Sequence, residues 1–131
     1  MGERWSLLVV REVSLGVRRF GDIRAATGAP PAVLADRLRT LVALGVLETR
    51  PYHEPGARTR SEYRLTDAGH ELFPVLSALR DWGDRHLAED AGPPVVLRHR
   101  DCGAELHVRM LCEEGHEVRG RGDTAREVRI P

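Results

Sequence analysis

Four residues near the C-terminus have the side chains and the spacing of zinc ligands. Two residues stand between His99 and Cys102, nine between Cys102 and Cys112, and three between Cys112 and His116. Because imidazole and thiolate groups are common ligands of tetrahedral zinc, a hairpin that joined the two pairs would form a candidate metal site. Zinc ribbons more often offer two Cys-x2-Cys pairs, so other readings stay open. These are a small hairpin with reduced thiols, a Cys102–Cys112 disulfide, which a reducing cytosol disfavours, and a ligand set that uses His107.

The sequence carries no motif of a common enzyme class. It has no nucleophile elbow, no phosphate-binding glycine loop, no His-Glu-x-x-His and no pair of carboxylates in a supporting context. A catalytic serine would need a neighbouring base, and none is evident. We therefore expect a protein without catalytic activity.

A second group of polar residues lies on one face of a segment with helical periodicity. Apolar residues recur there at i, i+4, i+7 and i+8, which is the spacing of a core-facing helix; they are Leu34, Leu38, Leu41 and Val42. The other face carries Asp36, Arg37, Arg39 and Thr40. Side chains of these types reach phosphates and base edges, although a charged helix face by itself is often only solvated.

The charge of the chain is balanced as a whole but unequal between its halves. The 20 basic residues are all arginine, and they equal the 20 acidic residues in number. Residues 1–64 hold 11 arginines against 7 acidic side chains, whereas residues 65–131 hold 9 against 13. The first half therefore has a positive excess, which is expected of a DNA-binding element. Arginine also offers bidentate hydrogen bonds to phosphate and guanine, which lysine does not.

The elements that would position these arginines follow in a characteristic order. Apolar periodicity and turn residues predict three helices, then a β-hairpin with a polar loop, then a longer helix with a broad apolar stripe. The predicted helices cover residues 4–15, about 20–26, 31–44 and 67–88, the strands 46–52 and 61–65, and the loop 53–60. This order predicts an α+β, mainly α fold: a winged helix-turn-helix with a long C-terminal dimerisation helix and a small β-rich tail.

The chain is predicted to have two parts. A break at Gly92-Pro93-Pro94 separates a DNA-binding and dimerisation domain, residues 1–91, from a small β-hairpin tail, residues 92–131, whose end we expect to be disordered or an edge strand. No apolar run reaches the length of about 18 residues that a membrane span requires. Two cysteines in 131 residues do not suggest a secreted disulfide scaffold. We therefore expect a cytoplasmic protein without membrane contact.

Several segments, in order and at fixed spacing, resemble an HxlR-type winged helix-turn-helix transcriptional regulator of the MarR-like superfamily. They are RWSLLVVREV, RRFGDI, LADRLRTLVALGVLETR and EYRLTDAGHELFPVL, and the resemblance covers about residues 4–83. The resemblance implies a homodimer that binds double-stranded DNA at a pseudo-palindromic operator and regulates nearby genes, often in response to a small-molecule effector or to redox change. Family members often carry a cysteine before the first helix; here that helix begins near Arg4, so the resemblance does not support thiol sensing by such a residue.

The resemblance also assigns roles to individual residues. It implies that the helix Pro31–Leu44 enters the major groove and that the wing, residues 53–60, contacts the backbone or the minor groove. The expected DNA-binding residues are Arg19, Ala32, Ala35, Asp36, Arg37, Arg39, Thr40, Arg58 and Arg60. Separately, the apolar stripe of the last predicted helix indicates a dimer interface that consists of Leu72, Val75, Leu76, Leu79 and Trp82. The zero net charge keeps an alternative open, in which the same fold is a protein-interaction module that does not bind DNA.

Overall fold

The computed structural model describes residues 3–87, 90, 92 and 95–129. In these residues the chain forms helices and short antiparallel strands, and it divides between Leu76 and Ser77 into two compact units. The elements are α1 (Arg4–Ser14), α2 (Phe20–Thr27), α3 (Pro31–Ala43), β1 (Leu47–Tyr52), β2 (Arg60–Leu65), α4 (Asp67–His70), α5 (Phe73–His86), β3 (Met110–Leu111) and β4 (Glu117–Val118). The α+β, mainly helical winged-helix fold predicted from the sequence is confirmed.

The core of the first unit lies beneath α3. Leu34, Leu38 and Leu41 recur on one face of this helix and are no more than 1% exposed. They pack in one cluster with Val9 of α1 and Ile23 of α2, both fully buried. The periodicity read from the sequence is therefore the cause of the packing, since it places every buried leucine of α3 on the same side.

The turn between α2 and α3 is built from short-range contacts. Gly28 ends α2 with a φ of 72°, a left-handed conformation that glycine adopts without steric cost. The Thr27 hydroxyl donates to the carbonyl of Ile23 at 2.8 Å, and it accepts from the Ala29 amide at 3.3 Å. Pro31 then begins α3, where the absent N–H leaves no hydrogen bond unmade. These contacts set the direction in which α3 leaves the turn.

The wing is tied to the helices at its base. β1 and β2 pair in register from Leu47 opposite Leu65 to Tyr52 opposite Arg60. The amide of Tyr63 also donates to the carbonyl of Arg18 at 2.7 Å, so the connection between α1 and α2 lies along the free edge of β2. The base of the hairpin is therefore held by the connection between α1 and α2.

The C-terminal helix differs from the sequence prediction. A continuous helix over residues 67–88 is wrong: the structure has the short α4, a break at residues 71–72, and then α5 from Phe73 to His86. Pro74 explains the break, because its ring has no N–H to donate and would collide with the carbonyl of His70 in an uninterrupted helix. The predicted end, Ala88, lies outside the described residues.

The second unit contains the tail. β3 and β4 form a two-residue antiparallel ladder, and Arg98 and Glu105 form an isolated bridge. The amide of Val108 donates to the Asp81 carboxylate at 3.2 Å, which joins the tail to α5. Residues 119–129 contain one turn of 3-10 helix and no strand. No helix of the described part of the chain is long and apolar enough to cross a membrane.

Candidate nucleic-acid interface

The face of α3 opposite the leucines presents short and polar side chains to solvent. Ala32, Asp36 and Thr40 are exposed, Ala35 is half-buried, and Arg39 has 77% of its side chain exposed. Its guanidinium lies 3.7 Å from the Asp36 carboxylate one turn earlier. The Thr40 hydroxyl donates to the carbonyl of Asp36 at 3.1 Å. Arg39 is therefore the long side chain on this face that is free to extend away from the protein.

Arg37 has a different environment from the rest of this face. Its side chain is 32% exposed, and its Nε atom lies 3.0 Å from an Oε atom of Glu3. The contact is an ion pair and not a hydrogen bond, since this buried Nε atom has no hydrogen-bond partner among the described residues. A second carboxylate, that of Asp36, lies 3.5 Å from Nη1. The structure thus gives Arg37 contacts within the protein, although the sequence pattern groups it with the outward residues.

Arg19 lies where α2 meets the wing. Its guanidinium carbon is 4.2 Å from the ring centroid of Tyr52, a cation–π distance. Its Nη1 atom donates to the Glu54 carboxylate at 2.5 Å. This hydrogen bond is the main cause that raises the pKa of Arg19 above its ordinary value. The sequence predicts Arg19 as a DNA-binding residue but does not predict these two partners. The available signal is that Tyr52, an aromatic residue, and Glu54, an acid, lie at the start of an arginine-rich loop.

A cleft of about 690 Å³ opens between the first turn of α2 and the wing. Three of the predicted DNA-binding residues line it together, namely Arg19, Arg58 and Arg60. Within the described residues, neither Arg58 nor Arg60 forms an ion pair, and both are exposed. Arg19 is also the N-cap of α2, and no side chain caps that end of the helix. Positive side chains and the open N-terminal end of a helix both favour an anion in this cleft.

The residues expected at a dimer interface separate into two groups. Leu72 and Leu76 are half-buried and pack against the core of the first unit. Val75, Leu79 and Trp82 are 48%, 55% and 53% exposed, at a spacing that follows one face of α5. The exposed group therefore leaves an apolar stripe on α5.

The predicted metal ligands do not assemble in the structure. The described residues contain no group of three or more His, Cys, Asp or Glu side chains positioned to hold a metal ion. Each predicted pair closes on itself instead: the amide of Cys102 donates to Nδ1 of His99, and the amide of His116 donates to Sγ of Cys112. Both thiols are free and exposed. Each pair thus lies in a local turn of its own, and zinc binding by the four residues stays a prediction.

The chain is similar to known families and proteins. The family model of the HxlR-like helix-turn-helix matches residues 1–91. An uncharacterized HTH-type transcriptional regulator of Mycobacterium tuberculosis (strain CDC 1551 / Oshkosh), MT3179, is 44% identical over 125 residues, which cover 95% of this chain and 78% of that protein. The match to this relative extends beyond the winged helix into the tail.

Two solved structures are similar over nearly the whole chain. PA1607, a candidate transcription factor, superposes with a TM-score of 0.82 at 35% identity and covers 96% of this chain and 87% of its own. PA1374 from Pseudomonas aeruginosa, also a candidate transcription factor, gives a TM-score of 0.68 at 31% identity, with 97% and 86% covered. The winged-helix fold is thus shared with proteins that carry regulator names.

Proposed function

Since the chain belongs to the HxlR-like helix-turn-helix family, we propose that it is a homodimeric, sequence-specific, DNA-binding transcriptional regulator. Residues 1–91 form the DNA-binding and dimerisation domain, and residues 92–131 form an accessory tail. The protein has no catalytic activity and acts in the cytoplasm. A small-molecule effector is a further expected partner.

The observation that carries the proposal is the surface of α3. This helix buries its leucines and exposes Arg39 beside Asp36, so it offers polar side chains of the kind that hydrogen-bond base edges. Ala32 and Ala35 are small enough to let the helix approach closely, and a methyl group at either position favours contact with thymine. In the proposed complex α3 lies in the major groove, as recognition helices of this architecture do.

The cleft beside the wing supplies the contacts that do not depend on sequence. Arg19, Arg58 and Arg60 line it, and backbone phosphates are the anions that match such a cleft. Contacts of this kind set the position of a protein on the duplex, while base contacts select the site. The wing therefore contributes affinity, and α3 contributes specificity.

The exposed stripe on α5 supports a two-fold dimer. Val75, Leu79 and Trp82 would be covered by the same residues of a second copy, as an isologous interface requires. Two α3 helices related by such an axis would read a pseudo-palindrome, with half-sites about 34 Å apart.

The test is binding to DNA from upstream of the gene that encodes the protein. Fluorescence anisotropy with this fragment and with a random duplex, over a series of salt concentrations, gives both the preference and the electrostatic contribution. We expect a clear preference for the upstream fragment and a steep loss of affinity with salt. Arg39→Ala should reduce the preference, whereas Arg98→Ala, which removes an exposed arginine of the tail, should not. Absence of binding to either DNA at low salt would favour the protein-interaction alternative.

A further inference from the structure

We propose that Glu54 restrains the affinity for DNA by occupying the guanidinium group of Arg19, where a backbone phosphate binds in the complex. The inference rests on the proposed DNA-binding function and concerns how that function is limited. Neither the charge balance of the chain nor the periodicity of its helices indicates this role for Glu54, an acidic residue of the wing.

Arg19 is held in place before any DNA arrives. The ring of Tyr52 supports one side of the guanidinium at 4.2 Å, and the Glu54 carboxylate receives a hydrogen bond from Nη1. The backbone of Arg19 is fixed by its bridge to Glu62 of β2 and by its position as the N-cap of α2. A guanidinium with this support keeps its orientation if the carboxylate leaves, because the aromatic ring and the backbone contacts remain.

Glu54 is well placed to leave. It is 55% exposed, and it lies in the loop between the end of β1 at Tyr52 and the start of β2 at Arg60. Its displacement breaks no rung of the β1–β2 ladder. An exposed ion pair of this kind changes an equilibrium constant by a factor of roughly two to five. The pair is thus strong enough to lower DNA affinity and weak enough for a phosphate to replace it.

The surroundings of Arg19 favour an anion other than Glu54. Arg58 and Arg60 line the same cleft, and within the described chain they pair with no acid. Asp22, in the first turn of α2, is the other acid that lines the cleft. A phosphodiester can accept two hydrogen bonds from one guanidinium while facing the other two arginines. The Glu54 carboxylate, which is hydrogen-bonded to Arg19, therefore competes with the ligand that the cleft fits best.

The experiment is a double-mutant cycle with Glu54→Gln, Arg19→Gln and the double variant. Binding is measured by fluorescence anisotropy on a random-sequence duplex and on the upstream fragment, over a series of potassium chloride concentrations. Glu54→Gln should tighten binding to both DNAs by about two- to fivefold. It should also increase the slope of log K against log salt by up to about one. In the Arg19→Gln background, Glu54→Gln should have little effect on affinity.

Glu48→Gln is the matched control. It removes the same charge from the same hairpin. The ion pair that it breaks is with Arg50, whose Nη2 atom lies 2.9 Å from Oε1 of Glu48, and not with Arg19. Its effect should be smaller than that of Glu54→Gln and independent of Arg19.

Three results would overturn the inference. An equal gain with Arg19→Gln present would mean that Glu54 acts only through general repulsion. Weaker binding by Glu54→Gln would mean that the carboxylate orders the wing for DNA. Unchanged affinity in Glu54→Gln, with a wild-type protein that binds DNA, would mean that the ion pair does not restrain binding. Absence of wild-type binding at low salt is a separate outcome, and it would overturn the proposed function itself.

Discussion

The Nε atom of Arg37 lies 3.0 Å from a carboxylate oxygen of Glu3, the residue that caps the N-terminus of α1. The same carboxylate accepts the amide of Ser6 at 3.3 Å. One side chain thus joins the first turn of α1 to the middle of α3. The contact separates Arg37, which has a partner on another helix, from Arg39, which extends from the same helix into solvent.

Arg37→Ala should therefore change stability more than DNA recognition. The substitution removes an ion pair and the packing of the arginine stem, and we expect the free energy of unfolding to fall by about 1 kcal/mol. Urea denaturation measures this loss, and anisotropy with the upstream fragment measures binding. Affinity should fall less than it does in Arg39→Ala. Equal losses of affinity in the two variants, with unchanged stability, would place Arg37 at the DNA instead.

Arg58→Gln should weaken binding to every DNA sequence to a similar extent. Arg58 lines the cleft and is exposed in the wing, so its expected partner is a phosphate rather than a base. Loss of one phosphate contact should reduce the salt slope by about one. Arg100→Gln, at an exposed position of the tail, is the control and should leave the slope unchanged. An unchanged slope in Arg58→Gln would remove this residue from the phosphate contacts.

Leu79→Glu should convert the proposed dimer to a monomer. Leu79 is 55% exposed in the middle of the α5 stripe, and a carboxylate there would be buried without a partner in a two-fold interface. Sedimentation velocity of the purified variant gives the oligomeric state directly. Leu111→Glu is a useful comparison, because Leu111 is 63% exposed in the tail and should tolerate the charge. A Leu79→Glu protein that remains dimeric would require a different interface.

Gly69→Ala should strongly destabilise the first unit. A Cβ atom at this position would lie 2.2 Å from the carbonyl oxygen of Val46, which is backbone and has little freedom to move. We expect a loss of about 2–3 kcal/mol or more in the free energy of unfolding. Gly83→Ala, in α5, meets no atom within 4 Å and should stabilise its helix by up to about 1 kcal/mol. Thermal unfolding of the two variants compares them, and similar melting temperatures would contradict the crowded packing at Gly69.

Acid should weaken the attachment of the tail to α5 through Asp81. A hydrogen bond from Arg80 is the first cause that lowers the pKa of Asp81, and the amide of Val108 lowers it further. Because the folded-state pKa is below the unfolded value of about 4, the carboxylate contributes stability above that pH. The contribution is lost as the pH falls through the folded-state pKa. Exchange of the Val108 amide should accelerate there relative to the intrinsic rate. Asp81→Asn should make this protection less dependent on pH.

Local periodicity predicted the first unit well because each signal there was independent of distant residues. The spacing of the leucines predicts the buried face of α3, and Gly28 predicts the turn before it. The structure confirms the buried face and the turn. Pro74, which explains the break at residues 71–72, is also a local signal, but the apolar stripe of residues 72–82 concealed it. Periodicity measures which side of a helix is apolar and does not register a missing N–H.

Contacts between residues that are distant in the sequence could not be predicted from local patterns. Arg19 and Glu54 are 35 positions apart, and their contact depends on where the wing folds back. The same limit applies to the tail: spacing pairs His99 with Cys102 and Cys112 with His116, but it does not determine whether the two pairs face one another. Neighbouring residues determine turns and the buried face of a helix, whereas tertiary packing determines which distant side chains form a cluster.

The backbone hydrogen bond from Tyr63 to Arg18 has a consequence for the entropy of binding. Since the base of the wing is held by this contact, the ordering required in the proposed complex would be confined to the loop between Tyr52 and Arg60. Ordering a backbone residue costs about 1 kcal/mol or more, so a hairpin with a free base would lose part of its contact energy to stiffening. The length and composition of that loop are therefore a means by which selection could adjust affinity without altering any residue that touches a base.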